Sequence, residues 1–302
     1  MSIKAYKGFD KNLRCHDFQY EVGKEYETKR AELCEAGFHA CENPLDCLNY
    51  YSPNDGCVYH EVEVSGDIEK ANDDSKVAAT RIKIGARLSI AGIVKGAIDF
   101  IFSKAKPTSS NGAHAATSGN GAHAATSGDR ANAATSGYGA HAATSGNGAH
   151  AATSGNGANA ATSGDYAHAA TSGYYANAAT SGYCAHAATS GDYANAATSG
   201  DRAHAATSGN YANAATSGDC ANAATSGNCA NAATSGKDAI AAVLGYGCKA
   251  RGALGCWLVL TERDDDWHIL GVQAVKVDGE SIKADTWYEL RGGKVVEWEG
   301  EA

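Results

Sequence analysis

The 302-residue chain carries 34 acidic and 25 basic side chains, a formal charge of −9, and no basic patch gathers along it, which argues against direct nucleic-acid binding. No run of about 18 apolar residues exists, so no membrane span is expected. Ten cysteines follow a start, Met1-Ser-Ile-Lys-Ala-Tyr-Lys, that lacks the apolar core of an export signal, so the expectation is reduced thiols in a cytoplasm.

Residues 1–106 read as an α+β domain. Ile3–Phe9 suits a first strand, and Val58–Val64 alternates like a half-buried one. Between them, Asn43-Pro-Leu-Asp46 opens a short helix, with Asn43 as cap and Pro44 at its first position. Val77–Ile84 reads as another strand. Leu88, Ile90, Ile93, Val94, Ala97, Ile98, Ile101 and Phe102 then form a helical apolar stripe within residues 86–104. A solenoid needs covered ends, so this helix is expected to pack on the open first coil of the repeat that follows. Cys34, His39, Cys41, Cys47 and Cys57 lack the paired spacing of a structural zinc site, and no metal is assigned.

Residues 107–255 form the second domain. Within it, from Asn111 to Gly236, a nonapeptide (first copy Asn-Gly-Ala-His-Ala-Ala-Thr-Ser-Gly) recurs fourteen times without insertion. Such a strict period marks a solenoid. Glycine at position nine and turn chemistry after it interrupt any helix, so each repeat is read as a strand over positions two to seven. Alternation puts alanines three and five and threonine seven inside, and position two with His/Asn four outside. Nine residues supply one strand and one corner, so a coil takes two repeats or three. From His150 to Asn213 position four alternates strictly. Two repeats per coil would stack His150, His168, His186 and His204 on one sheet, and Asn159, Asn177, Asn195 and Asn213 on the other. Tyr175, Tyr193 and Tyr211 would stack beside the asparagines. The first six repeats read His-His-Asn twice, which suits three per coil; two is preferred. The whole chain is then mainly β: a parallel β-solenoid between an α+β N-terminal domain and a β-rich C-terminal cap.

After Gly236 the repeat decays through Lys237–Gly245 and Tyr246–Gly255. Residues 256–302 carry short strand patterns separated by hairpin signals and all four tryptophans, read as a cap on the last coil. The nonapeptide lacks the Gly-Gly-x-Gly-x-Asp ligands of calcium β-rolls. The histidine ladder offers nitrogens in a line rather than a metal cage, and inward threonines argue against ice binding. No cofactor is assigned.

Two resemblances bear on function. Ala5-Tyr-Lys-Gly-Phe9, Ala36-Gly-Phe-His-Ala-Cys41 and His60-Glu-Val-Glu63 loosely resemble small ADP-ribosyltransferase-like folds. That resemblance would make Glu61 or Glu63 the catalytic acid and His39 a contact for a nicotinamide dinucleotide, although Tyr6 or Lys7 replaces the family's first-strand Arg or His. Taken whole, the chain resembles an uncharacterised family of phage and prophage proteins from Gram-positive gut bacteria. The motifs are Lys4-Ala-Tyr-Lys-Gly-Phe9, Phe18-Gln-Tyr-Glu21, Gly37–Asp46, Lys76–Gly85, Gly252-Ala-Leu-Gly255 and Asp285-Thr-Trp-Tyr288. It implies a domain of unknown function before Ala-Ala-Thr-type repeats, expressed inside an infected bacterium, and imports no activity. Three functions are therefore weighed. The first is a non-catalytic interaction protein whose His, Asn and Tyr rows meet a host or phage protein, with blocking of a host defence component as one role. The second is an N-terminal enzyme with the solenoid as spacer. The third is a self-assembling structural element.

Overall fold

The computed structural model describes residues 2–53, 56–71, 75–105 and 107–299. Seven strands precede one helix: β1 (Ile3–Phe9), β2 (Arg14–Cys15), β3 (Phe18–Gln19), β4 (Glu25–Glu27), β5 (Phe38–Cys41), β6 (Val58–Lys70), β7 (Lys76–Leu88) and α1 (Ile90–Lys104). Five of them form a sheet in the order β4-β7-β5-β1-β6, and β6 also pairs with β7, which closes the sheet into a small barrel. Ala5, Phe9, Phe38, Val62, Val64, Ile82 and Ile84 fill its interior. The barrel has a weak seam. β1 and β5 are paired only at Tyr6 and Cys41, whereas β1 and β6 pair along the full length of β1. The expected strands at 58–64 and 77–84 are present but run to 13 residues each. β7 continues to Leu88, so α1 starts at Ile90, where the Ser89 hydroxyl accepts a hydrogen bond from the Gly92 amide at 3.2 Å.

Each nonapeptide supplies one strand, and each strand pairs in parallel with the strand 18 residues on: His150 with His168, Asn159 with Asn177. Two repeats therefore make one coil. Odd-numbered repeats build one flat sheet, here called the histidine sheet, and even-numbered repeats build the opposing asparagine sheet. About eight turns stack over residues 114–260. Alanines five of both sheets (Ala151, Ala160, Ala169) and threonines seven (Thr162, Thr180) face inward and are almost fully buried, as alternation requires. The interior is thin because it holds only methyls and hydroxyls.

The strands start at position four rather than two. Position two adopts left-handed backbone in all fourteen repeats, for example Tyr175 at φ 57° and Gly148 at φ 63°. It is the last corner of a turn that the position-three amide closes onto the preceding glycine, as Ala194 does onto the Gly191 carbonyl at 3.3 Å. Position one explains its own Asn/Asp bias. Its side-chain oxygen accepts from the position-one amide of the next coil, as Asp165 Oδ1 does from Tyr183 N at 2.9 Å.

Helix α1 does not close the open end of the first coil, although it touches one strand of it. It lies along the outer face of the asparagine sheet, against strands from His123–Ser127 to Asn195–Thr198. Ile93, Val94, Ala97, Ile98 and Ile101 pack on Ala125, Ala143, Ala161 and Ala179, the position-six alanines of that sheet. A row of methyls is flat and lets a helix approach closely, which the first coil's edge does not offer. The first strand of the histidine sheet, His114–Ser118, pairs on one side with Asn132–Ser136 and stays largely exposed.

The solenoid runs past residue 255. Trp257–Arg263 pairs in parallel with Ile240–Val243, then turns back as an antiparallel hairpin with Ile269–Lys276. The asparagine sheet ends in Tyr288–Arg291 and Lys294–Glu297, also antiparallel. Leu258, Leu260, Tyr288 and Leu290 replace the small core residues and plug this end. Among the described residues the asparagine sheet holds eleven strands and the histidine sheet ten.

Candidate functional site

The histidine sheet presents positions four, six and eight outward. His150, His168, His186 and His204 stack as the alternation of the repeat predicts, with ring centroids 4.8, 4.8 and 4.9 Å apart and planes within 11°. Asn222 ends the run and its amide donates to His204 Nδ1 at 3.3 Å. Burial of each ring against its neighbours, with their mutual charge, holds His168 and His186 below the usual histidine range. This face is level, since alanines 152, 170, 188 and 206 lie exposed between the histidines and the serines.

Both corners of the rod carry exposed tyrosines, Tyr166 and Tyr183 at 6.0 Å on one, and a longer stack on the other. Tyr175, Tyr193 and Tyr211 stack at 5.2 and 5.0 Å, because the same left-handed corner repeats every 18 residues and projects each ring alike. The stripe is longer than the sequence suggested. Tyr174 packs edge-on against Tyr175 at 4.4 Å, and Tyr246 continues the corner towards Trp267 at 6.3 Å. These rings are between a third and three fifths exposed. Tyr246 and Trp267 were missed because they follow the regular repeats.

The asparagine row is not free surface. Asn159 and Asn177 are fully buried and Asn195 nearly so, under the chain's own N-terminal domain. Each amide donates to the carbonyl of the asparagine one coil before, at 2.9–3.0 Å for Asn177, Asn195 and Asn213. The 3-10 helix Pro44–Asn49 grips this ladder rung by rung. Asn43 donates to His141 Nδ1 at 3.3 Å, Asp46 accepts from Asn159 at 2.8 Å, and Asn49 accepts from Asn177 at 3.0 Å. Residues three apart eclipse on a 3-10 helix and rise about 6 Å, close to the ladder's strand spacing of about 4.8 Å. The expectation that this row faces solvent therefore fails for Asn159, Asn177 and Asn195. The spacing Asn43, Asp46, Asn49 was the signal that could have shown it.

In the N-terminal domain His39 lines a cleft of about 790 Å³ at the β1–β5 seam, together with Lys7, Phe18, Tyr50 and Lys76. Its Nε2 accepts the Cys34 amide at 3.0 Å, so the ring is neutral there and fixes a turn in which Cys34 has φ 62°. Burial and then the nearby Lys7 ammonium push the His39 pKa down. Glu61 and Glu63 line a different hollow with Lys4 and Lys83, where Glu61 pairs with Lys4 at 2.8 Å. The three residues that the transferase resemblance joins are thus not brought together. Among the described residues no group of three or more His, Cys, Asp or Glu side chains could hold a metal ion. Also among them, no helix is long and apolar enough to cross a membrane.

Residues 3–96 match a domain of unknown function, DUF7666. That stretch holds the barrel, the 3-10 helix that grips the ladder and the first half of α1. No curated protein and no solved structure matches the chain.

Proposed function

We propose that this is a non-catalytic interaction protein that meets a host or phage protein, in the cytoplasm of an infected bacterium, through the aromatic corner and the adjoining face of the histidine sheet. What carries the reading is the division of the rod's surface. The chain's own N-terminal domain covers the asparagine sheet from His123–Ser127 to Asn195–Thr198, while the rings from Tyr174 to Tyr211 and, past Cys229, Tyr246 and Trp267 stay open along one corner. Tyrosine and tryptophan supply large contact area at small conformational cost, and they dominate the energetics of protein interfaces. A stacked row is already ordered before binding, which lowers the entropic cost further. The phage resemblance suggests a component of host defence as the target. The enzymatic alternative is weakened by the separation of His39 from Glu61 and Glu63.

The test is retention of a stoichiometric partner by tagged full-length protein in lysate of an infected Gram-positive host. Replacing Tyr175, Tyr193 and Tyr211 together by Ser should abolish retention, and His39→Ala with Glu63→Ala should leave it intact. The opposite pattern would refute the surface and move the case to the N-terminal domain.

A further inference from the structure

Strand β1 alternates Ala5, Lys7 and Phe9 towards the barrel interior, so Lys7 is forced inward among apolar side chains. It is 5% exposed. Its ammonium donates to the His39 carbonyl at 2.8 Å and lies 5.6 and 5.9 Å from the ring centres of Phe9 and Tyr20. Among the described residues no carboxylate pairs with it. An ammonium has three N–H donors and one is used. Lysine is almost never so buried without a counter-charge, because the desolvation cost is not offset. Here the buried charge opens onto a cleft of about 790 Å³, a size typical of small-molecule sites.

We infer that the seam cleft binds a small anion carried on a flat ring, with the Lys7 ammonium as its counter-charge. The other lining groups fit that chemistry. Lys76 adds a second positive charge, its ammonium 3.2 Å from Cys34 Sγ and 4.7 Å from the Tyr50 ring centre. Phe18, Tyr50 and Tyr51 line it with aromatic rings, and Phe18 is exposed at the mouth. The two acidic lining residues, Asp17 and Glu35, are exposed. Their charge opposes an anion, and water at the exposed rim screens it. His39, held neutral by its contact with the Cys34 amide, leaves Lys7 as the buried cation. This site is separate from the solenoid surface proposed above.

The test is calorimetric titration of the full chain with adenosine monophosphate, benzoate, inorganic phosphate and, as the uncharged control, adenosine. Adenosine monophosphate or benzoate should saturate one site, and adenosine should bind at least about tenfold more weakly than the monophosphate. A preference for the monophosphate identifies a phosphate-bearing nucleoside; a preference for benzoate identifies an aromatic carboxylate. Lys7→Met should cost at least about tenfold in affinity while raising the thermal midpoint, since it removes a buried charge that no carboxylate among the described residues compensates. Phe18→Ala should weaken the ring-bearing probes and spare phosphate. Binding unchanged by Lys7→Met, or no saturable binding by any charged probe, would overturn the assignment. Phosphate binding as tightly as the ring-bearing anions would overturn the role of the ring. Should Lys7→Met not fold, the lysine ammonium ¹H–¹⁵N spectrum of the unaltered protein decides. The Lys7 resonance must move on adding the probe, and a stationary signal rejects the site.

Discussion

At the residue scale the two glycines of a repeat such as Asn120–Gly128 do different work. At position two glycine is a convenience: Gly121 has φ 64° and open space where a Cβ would lie, and Tyr, Cys and Arg take the same corner elsewhere. At position nine it is a requirement. A Cβ on Gly191 would overlap the carbonyl of Gly173, one coil below. Gly121→Ala should therefore cost about 1 kcal/mol, the ordinary penalty of a left-handed alanine, and Gly191→Ala more than about 3 kcal/mol, as a backbone clash does. Urea midpoints of the two variants check this, and equal shifts would refute it. The invariance of position nine was visible in the sequence. Its cause was not, because the clash is with a residue 18 positions away and exists only once two repeats make a coil.

At the level of elements, the contact between the N-terminal domain and the solenoid depends on histidines that must stay neutral. His141 is buried beneath Phe100, stacks on His123 at 4.9 Å, and accepts the amides of Asn43 and Asn159 at Nδ1. Burial lowers its pKa from the ordinary 6.5 to about 4. The unfolded ring binds a proton below about pH 6.5 while the folded ring does not until about pH 4. Stability therefore falls as pH drops through that window, by up to about 3 kcal/mol for this residue. His141→Asn continues the asparagine ladder without a titrating group. It should flatten the loss of stability between pH 6.5 and 4 in thermal melts, and an unchanged slope would show that the acid sensitivity lies elsewhere. The apolar stripe of α1 was legible from its spacing, yet its target was not. Periodicity tells that one face is buried, never against what. The alanines that receive it are the same on both sheets, so only the polar row distinguishes them.

For the whole molecule, the alternation at position four from His150 to Asn213 favoured two repeats per coil, since there like stacks on like only with an 18-residue turn, but the His-His-Asn order of the first six repeats left three open. The same alternation could not say which sheet would be covered. That depended on the cap Asn43 and two polar side chains of the 3-10 helix meeting three consecutive rungs, a tertiary match between residues 98 to 128 positions apart. The candidate site was legible in part for the same reason. The histidine and tyrosine rows follow from the repeat alone, whereas the seam cleft arises from a strand pairing that no local pattern encodes.

The two-sheet build also gives the chain a parity. The N-terminal domain is fixed to even-numbered repeats, and the terminal hairpin Trp257–Lys276 extends the odd-numbered sheet. Gain or loss of one nonapeptide would exchange the sheets for everything downstream and carry the C-terminal cap half a turn around the rod. A change of two would only lengthen or shorten it. The architecture therefore accommodates a change of length in steps of eighteen residues, not nine.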